Sequence, residues 1–354
     1  MRRSVLLVGS MPFESDEECM RRALDKVGPY LFSLPDGEVG ERTAEFPDGT
    51  RACWIIRAFE ILQNDPANWH LVKPPVRGAN GVPVDYTGLP EIEPVCPPEH
   101  VPERVRFDYD VFCKQNMPVL RRLASERGLD GIRFQMGIPT GICFGFAFPN
   151  PADRMRYRGA FEDVLAREAN EVVRSGRDGV VIQLEAPPEV YMAYEMPEML
   201  EPLSVAPIRD LAAKIDAGAR IGVHLCLGDL RNKPLLQPKD VKPLVELSNR
   251  LVDTWPEGRI LEYIHYPLAA GDVPPPTDPA FYGPLADIHL PKGTHFVAGF
   301  VHEGLSFEQN LDILRALEDI RGETVDVACS CGIGRRTPEV ADHLLDLMAG
   351  LAAA

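Results

Sequence analysis

GVVIQL (179–184) is followed, after a short interval, by LSVAPIRDLAAKIDAGARIGVHLC (203–226), and together they form the unit that decides the fold. The first stretch is a short apolar run rich in β-branched residues, the mark of a strand buried on both faces. Residues 203–216 carry apolar side chains at helical spacing, and RIGVHLC (220–226) is a second buried strand. A strand, a helix and a strand in that order join parallel neighbours, because a parallel pair needs a long crossover where an antiparallel pair needs only a turn.

The same alternation extends in both directions. Strands are predicted at 4–8, 30–34, 131–136, 259–264, 295–300 and 324–328, and helices at 15–27, 50–63, 109–127, 152–175, 239–254, 306–319 and 337–349. With the two strands above, that makes eight. The expected architecture is an α/β fold, a (β/α)8 TIM barrel forming a single catalytic domain over 1–354, with a doubly wound open sheet as the alternative. Residues 64–104, rich in Pro and Gly and without periodicity, read as an excursion from the barrel wall. No Gly-x-Gly-x-x-Gly follows the first strand, so a dinucleotide fold has no motif to support it.

Composition narrows the partners. The 354 residues carry a formal net charge of −16, the wrong sign for a phosphate backbone, so nucleic acid is not expected. No stretch approaches the roughly 20 apolar residues that cross a bilayer, and the short apolar run in MRRSVLLVGSMPF reads as the first strand rather than a signal peptide. Eight cysteines are too sparse for a disulfide scaffold and fit a reducing, cytoplasmic interior with a metal site.

The chemistry concentrates at strand ends. In Gly222-Val223-His224-Leu225-Cys226, His224 and Cys226 are two apart on a strand and point to one side. Imidazole nitrogen and thiolate sulfur are the donors zinc prefers. The competing interpretation is a histidine and a cysteine adjacent in the core. Cys331, in Cys329-Ser330-Cys331-Gly332, follows the last strand, where barrel closure could bring it near Cys226, although Cys329 has the same parity. Glu262 sits in the apolar run Ile260-Leu261-Glu262-Tyr263-Ile264, where a charge must be metal-bound or paired with an arginine from the neighbouring strand.

Glu38 and Glu41 occupy a glycine-bounded loop after the second strand, and Glu185 ends a buried strand. These carboxylates could hold a substrate ammonium or act as a base. His289, in Ala286-Asp287-Ile288-His289-Leu290-Pro291, is a candidate acid near neutral pH. Arg335 and Arg336 follow the cysteine turn and could meet an anionic group or face water.

This set resembles the catalytic barrel of the cobalamin-independent methionine synthase family, in the superfamily shared with uroporphyrinogen decarboxylases. Val8-Gly9-Ser10-Met11-Pro12 is similar to the family's opening Ile-Gly-Ser-Phe-Pro, Asp36-Gly37-Glu38 to its His-Gly-Glu, and Gln183-Leu184-Glu185-Ala186-Pro187 to its Gln-Ile-Asp-Glu-Pro. His224-Leu225-Cys226 resembles the zinc His-x-Cys, Leu261-Glu262 the zinc glutamate, Ser330-Cys331-Gly332 the final Asp-Cys-Gly, and Asp287-Ile288-His289 the segment of a proton-handling histidine.

The resemblance implies Zn²⁺ held by His224, Cys226, Glu262 and Cys331, the choice of Cys331 over Cys329 resting on the resemblance alone. It also implies a substrate thiol, homocysteine by default, with its ammonium on Glu38 and Glu185 and its carboxylate at Ser10. Glu185 and His289 would be the catalytic groups, and methylcobalamin or a folate the alkyl donor. Two departures stand out. The family's folate loop is replaced by Gly137-Ile138-Pro139-Thr140-Gly141-Ile142-Cys143-Phe144, and none of the tryptophans at 54, 69 and 255 falls there. The family's additional N-terminal barrel also has no counterpart in these residues.

The expected function is therefore zinc-dependent alkyl transfer to a small thiol. Addition of the thiol to an epoxide, the reverse cleavage of a carbon–sulfur or carbon–oxygen bond, and a non-catalytic zinc-stabilised binding protein are the alternatives. A cofactor-free decarboxylase on the same fold would not need the His-x-Cys, Glu and Cys-Gly set.

Overall fold

Continuous apolar runs need cover on both faces, and the chain supplies it by alternating strand and helix. The computed structural model describes residues 3–53 and 55–354, so Trp54, one of the tryptophans named above, lies outside the described residues. The chain runs β1 (Val5–Leu6), α1 (Asp16–Val27), β2 (Ser33–Pro35) and α2 (Ile56–Gln63). A hairpin of β3 (Trp69–Lys73) and β4 (Glu91–Pro94) follows, then α3 (Val101–Arg104) and α4 (Tyr109–Ser125). From β5 (Arg133–Pro139) the alternation is regular: α5 (Pro151–Gly176), β6 (Val180–Ala186), α6 (Pro187–Glu195), α7 (Ala206–Lys214), β7 (Arg220–Leu225), α8 (Lys242–Asp253) and β8 (Ile260–Pro267). The chain ends with β9 (His295–Val301), α9 (Phe307–Arg321), β10 (Asp326–Cys329) and α10 (Pro338–Ala353).

Eight strands form one parallel sheet in the order β1-β10-β9-β8-β7-β6-β5-β2, and a parallel bridge from Val5 to Leu31 joins its two ends. The barrel is closed, as expected. The excursion is also as expected, its centre the antiparallel β3–β4 pair. The helix predicted over 50–63 starts only at Ile56, whereas α6, just beyond β6, was not foreseen.

Local signals set the helix ends. The Ser15 side chain caps α1 by accepting from the Glu18 N–H, with three acids in the first turn. A Ser306–Gln309 capping box opens α9, and Gly322 closes it at φ 66°.

The barrel interior is layered from base to mouth. At the base Glu262 pairs with Arg220 at 2.6 Å and Arg133 at 3.2 Å. Above it Leu6, Val181, Tyr263, Val297 and Ala328 form an apolar plug. A layer of amides comes next: Gln135 Nε2 donates to the carbonyls of Leu7 and Val8 and to Gln183 Oε1, and Tyr263 Oη donates to the same Gln183 oxygen. Gln183 Nε2 in turn donates to Glu185 Oε1 at 2.9 Å, which places Glu185 on top of the stack.

The base pairing corrects the reading of Glu262 as a metal ligand. Between β7 and β8 the register steps from Ile221↔Leu261 to Gly222↔Tyr263, so Glu262 is the extra residue of a bulge near the start of its strand. It is far from the mouth and neutralised by Arg220 of the neighbouring β7 and by Arg133 of β5 across the barrel base. Removing one partner of a buried ion pair costs roughly 3–5 kcal/mol, and because Arg133 and Arg220 are 26% and 31% exposed the expectation falls to about 2 kcal/mol. Glu262→Gln should therefore lower Tm by a few degrees and leave bound metal unchanged. Thermal melts beside metal analysis check both halves.

Candidate metal centre and its cavity

The mouth is where parallel strands deliver side chains to a shared space. His224 lies near the end of β7 and Cys226 just past it, while Cys331 follows β10 at the turn Ser330-Cys331-Gly332. Candidate ligand atoms of these three residues all lie within 4.8 Å of one another, and the two sulfurs are 3.9 Å apart. Two sulfurs each ~2.3 Å from a tetrahedral zinc would be about 3.8 Å apart, so the spacing suits one ion. The structure thus groups Cys331, not Cys329, with the His-x-Cys pair. Cys329 is buried in β10, with its carbonyl oxygen 3.0 Å from His265 Nε2.

The donor set fits zinc on a second ground. Burial, with help from His265 and Arg335, holds the His224 pKa well below its ordinary value, so the imidazole is neutral, the form that ligates metals. Its Nδ1 is 2.8 Å from His265 Nδ1. Its Nε2 is buried without a partner among the described residues. An unpartnered, buried ring nitrogen on a residue grouped with two cysteines is a donor that a soft cation such as zinc would satisfy. The thiol pKa of Cys331 is pushed well above its usual value by its contact with Cys226 and by burial, the penalty a bound cation would relieve.

The triad opens into a cavity whose walls include Ser10, Glu38, Glu185, Asp229 and Arg335. Glu38 sits on a strained turn: Gly37 has φ 93° and Glu38 itself φ 55°, a conformation side-chain-bearing residues avoid. Asp36 holds that turn, accepting from the Glu38 N–H at 2.9 Å while it pairs with Arg51 at 2.8 Å. Glu38 and Glu185 then share one corner, because Gly9 and Gly137 leave room for them. A Cβ on Gly9 would lie 2.8 Å from Glu38 Oε1, and one on Gly137 would collide with Glu185. Burial raises the Glu38 pKa to about 7. Burial, then the neighbouring Glu38, raises that of Glu185 well above the carboxylate range.

In the same cavity, Arg335 donates to Ser10 Oγ and makes no ion pair within 4 Å among the described residues. Gly332 and Gly334 pack tightly on Ser10, where a Cβ would come within 2.6 Å and 2.8 Å of its atoms. Asp229, buried in the same cavity, has both carboxylate oxygens unpartnered among the described residues. The roof comes from the excursion. Tyr86 Oη accepts from the Leu230 N–H at 3.1 Å and donates to the Lys233 carbonyl at 3.2 Å.

Two expected residues are elsewhere. Glu41 is exposed. His289 is also on the surface, its Nε2 3.0 Å from Asp253 and its N–H bonded to Asn249 of α8. It lies on the segment that returns the chain to the start of β9, so it is directed toward the base and does not reach the cavity. The histidine that follows β9 at the mouth is His302, whose Nδ1 accepts from the Gly304 N–H at 2.9 Å while its Nε2 lies 3.3 Å from the Gly271 carbonyl. Sequence reading missed His265, Asp229 and the part Arg335 plays in the cavity wall.

No family model and no curated protein matches the chain. Solved structures do. A B12-independent methionine synthase from Shewanella sp. W3-18-1, in complex with selenomethionine, is 13% identical with a TM-score of 0.62, covering 100% of this chain and 97% of that one. A putative vitamin-B12 independent methionine synthase from Listeria monocytogenes is 13% identical with a TM-score of 0.55, covering 100% and 98%. A methyltransferase from Methanosarcina mazei is 11% identical with a TM-score of 0.52, covering 99% and 94%. At such identities the likeness establishes the barrel fold. No helix among the described residues is long and apolar enough to cross a membrane.

Proposed function

We propose that this chain is a zinc-dependent enzyme that transfers a methyl or other alkyl group to a small thiol, with homocysteine the first thiol to test. The observation that carries this reading is the buried, unpartnered Nε2 of His224 beside Cys226 and Cys331, at the edge of a cavity lined by carboxylates and a guanidinium. His224, Cys226 and Cys331 would hold the ion. Zinc would supply the positive charge that makes a coordinated thiol a thiolate near neutral pH.

The protein's own residues account for the rest of the substrate. Glu38 and Glu185 hold an ammonium, and Arg335 with Ser10 meets a carboxylate, so both ends of an amino acid find a partner in one cavity. Glu185 is paired across the sheet with His224, where its carboxylate can take the proton that the thiol loses. Tyr86, Leu89, Leu230 and Leu235 exclude water above them. Two of the structural neighbours carry the name methionine synthase and one holds selenomethionine, in keeping with an amino-acid ligand. Three donors instead of four favour a working site over a structural one. Methylcobalamin and folates are the donors to try.

Zinc content measured together with zinc-edge X-ray absorption, while homocysteine is titrated into the protein, tests the proposal. One zinc per chain that gains a sulfur neighbour is the expected result. A zinc shell that ignores homocysteine would remove that thiol, and absence of zinc after growth in zinc would remove the reading.

A further inference from the structure

We infer that His265 is the positioning residue of the metal centre: it fixes the tautomer and orientation of His224, and leaves the metal three protein donors and one position for a ligand. The inference rests on the metal reading above. It begins with the bulge at Glu262, which advances β8 by one residue and sets His265 opposite His224. His265 is fully buried, and Gly299 of β9 gives its ring room, since a Cβ there would lie 2.5 Å from His265 Nε2.

The ring also lies near the Leu225 carbonyl, and the hydrogen-bond roles are assigned from the nearest partner of each nitrogen. His265 Nε2 is 3.0 Å from the Cys329 carbonyl oxygen, which can only accept, so this nitrogen carries the proton. His265 Nδ1 is therefore a bare acceptor, and at 2.8 Å it takes the N–H of His224 Nδ1. That assignment strips His224 Nε2 of its proton and leaves a lone pair beside the two cysteine sulfurs. Both nitrogens of His265 are used, so it is not a donor to the metal. The charge count changes too. Two thiolates would balance one dication, so this donor set, lacking a carboxylate, would add no further negative charge ahead of an incoming thiolate.

Outer partners of ligating histidines are worth about 10- to 100-fold in metal affinity. In chelator competition, His265→Phe should bind zinc weaker by about that factor, whereas His265→Asn, whose amide oxygen can replace Nδ1 as acceptor, should recover most of the loss. X-ray absorption should count two sulfurs and one imidazole nitrogen in the wild type and in both variants. In the metal-free wild type, long-range ¹H–¹⁵N spectra should find His224 protonated at Nδ1 and His265 at Nε2, a result that needs no metal. Equal zinc affinity in all three proteins, a second imidazole on the metal, or the opposite tautomer of His224 would each overturn the inference. A wild type with these tautomers but no zinc affinity would instead sink the metal reading beneath it.

Discussion

Cys331→Ser is expected to strip the protein of tightly held zinc while leaving the barrel folded. The sulfur lies 3.9 Å from that of Cys226 and within the same 4.8 Å group as a His224 ring nitrogen, so its loss removes one of three donors. Serine is a poor substitute, because its hydroxyl gives up a proton far less readily than a thiol and is a harder donor than zinc favours. The drop in affinity should exceed the ~10- to 100-fold cost of losing an outer hydrogen bond. The fold should survive, because the apolar plug and amide layers lie below the site and do not depend on it. Dialysis against a chelator followed by metal analysis, with circular dichroism as the control for folding, gives the result. Cys331→Ser protein that retained a full zinc complement would refute the assignment of this residue.

The second large effect concerns the carboxylate corner. Norleucine, an amino acid without a thiol, reports on the ammonium and carboxylate contacts alone. Glu185→Gln or Glu38→Gln should weaken its binding by about 2–4 kcal/mol, or ~30- to 1,000-fold, as expected when a buried charge pair loses one partner. The pH dependence has a definite sign. Burial raises the Glu38 pKa to about 7, so in the free protein this group keeps its proton well above the ordinary carboxylate range. An ammonium favours the ionised form. Norleucine affinity should therefore climb as pH rises from about 5 through 7. The unliganded protein should lose stability over the same interval, because the unfolded chain gives up a proton that buried Glu38 retains until about pH 7. Calorimetric titrations at several pH values, with thermal melts of the free protein, test the two opposing trends. Affinity that is flat with pH and indifferent to both substitutions would place the ammonium elsewhere.

The sequence announced the barrel because parallel strands buried on both faces read as continuous apolar runs, and the helices between them exceed the length of a turn. It announced His224 and Cys226 because a two-residue spacing on a strand survives an error of a residue or two in the strand's boundaries. Depth along the strand did not survive. His224 is the fifth residue of β7, while Glu262 is only the third of β8 and His265 the sixth, and in-register parallel strands bring equal depths together. The predicted strand 259–264 stopped one residue short of His265, and the bulge that shifts the register leaves no mark in composition. His289 differs for a similar reason: its segment precedes β9, at the base, whereas a side chain at the mouth must follow a strand. Arg335 was invisible as a partner of Ser10 because their meeting depends on the pairing of the first strand, β1, with the last, β10.

Gly9, Gly137 and Gly299 carry no side chain, and the space each leaves open is taken by Glu38, Glu185 and His265 respectively. Drift at these positions is therefore limited by volume instead of chemistry. An alanine there would evict a working side chain without altering a charge or a donor. Lineages descended from this chain would be expected to exchange many of its helix-surface residues before any of these three glycines, and a census of tolerated substitutions would outline the site by what cannot be added.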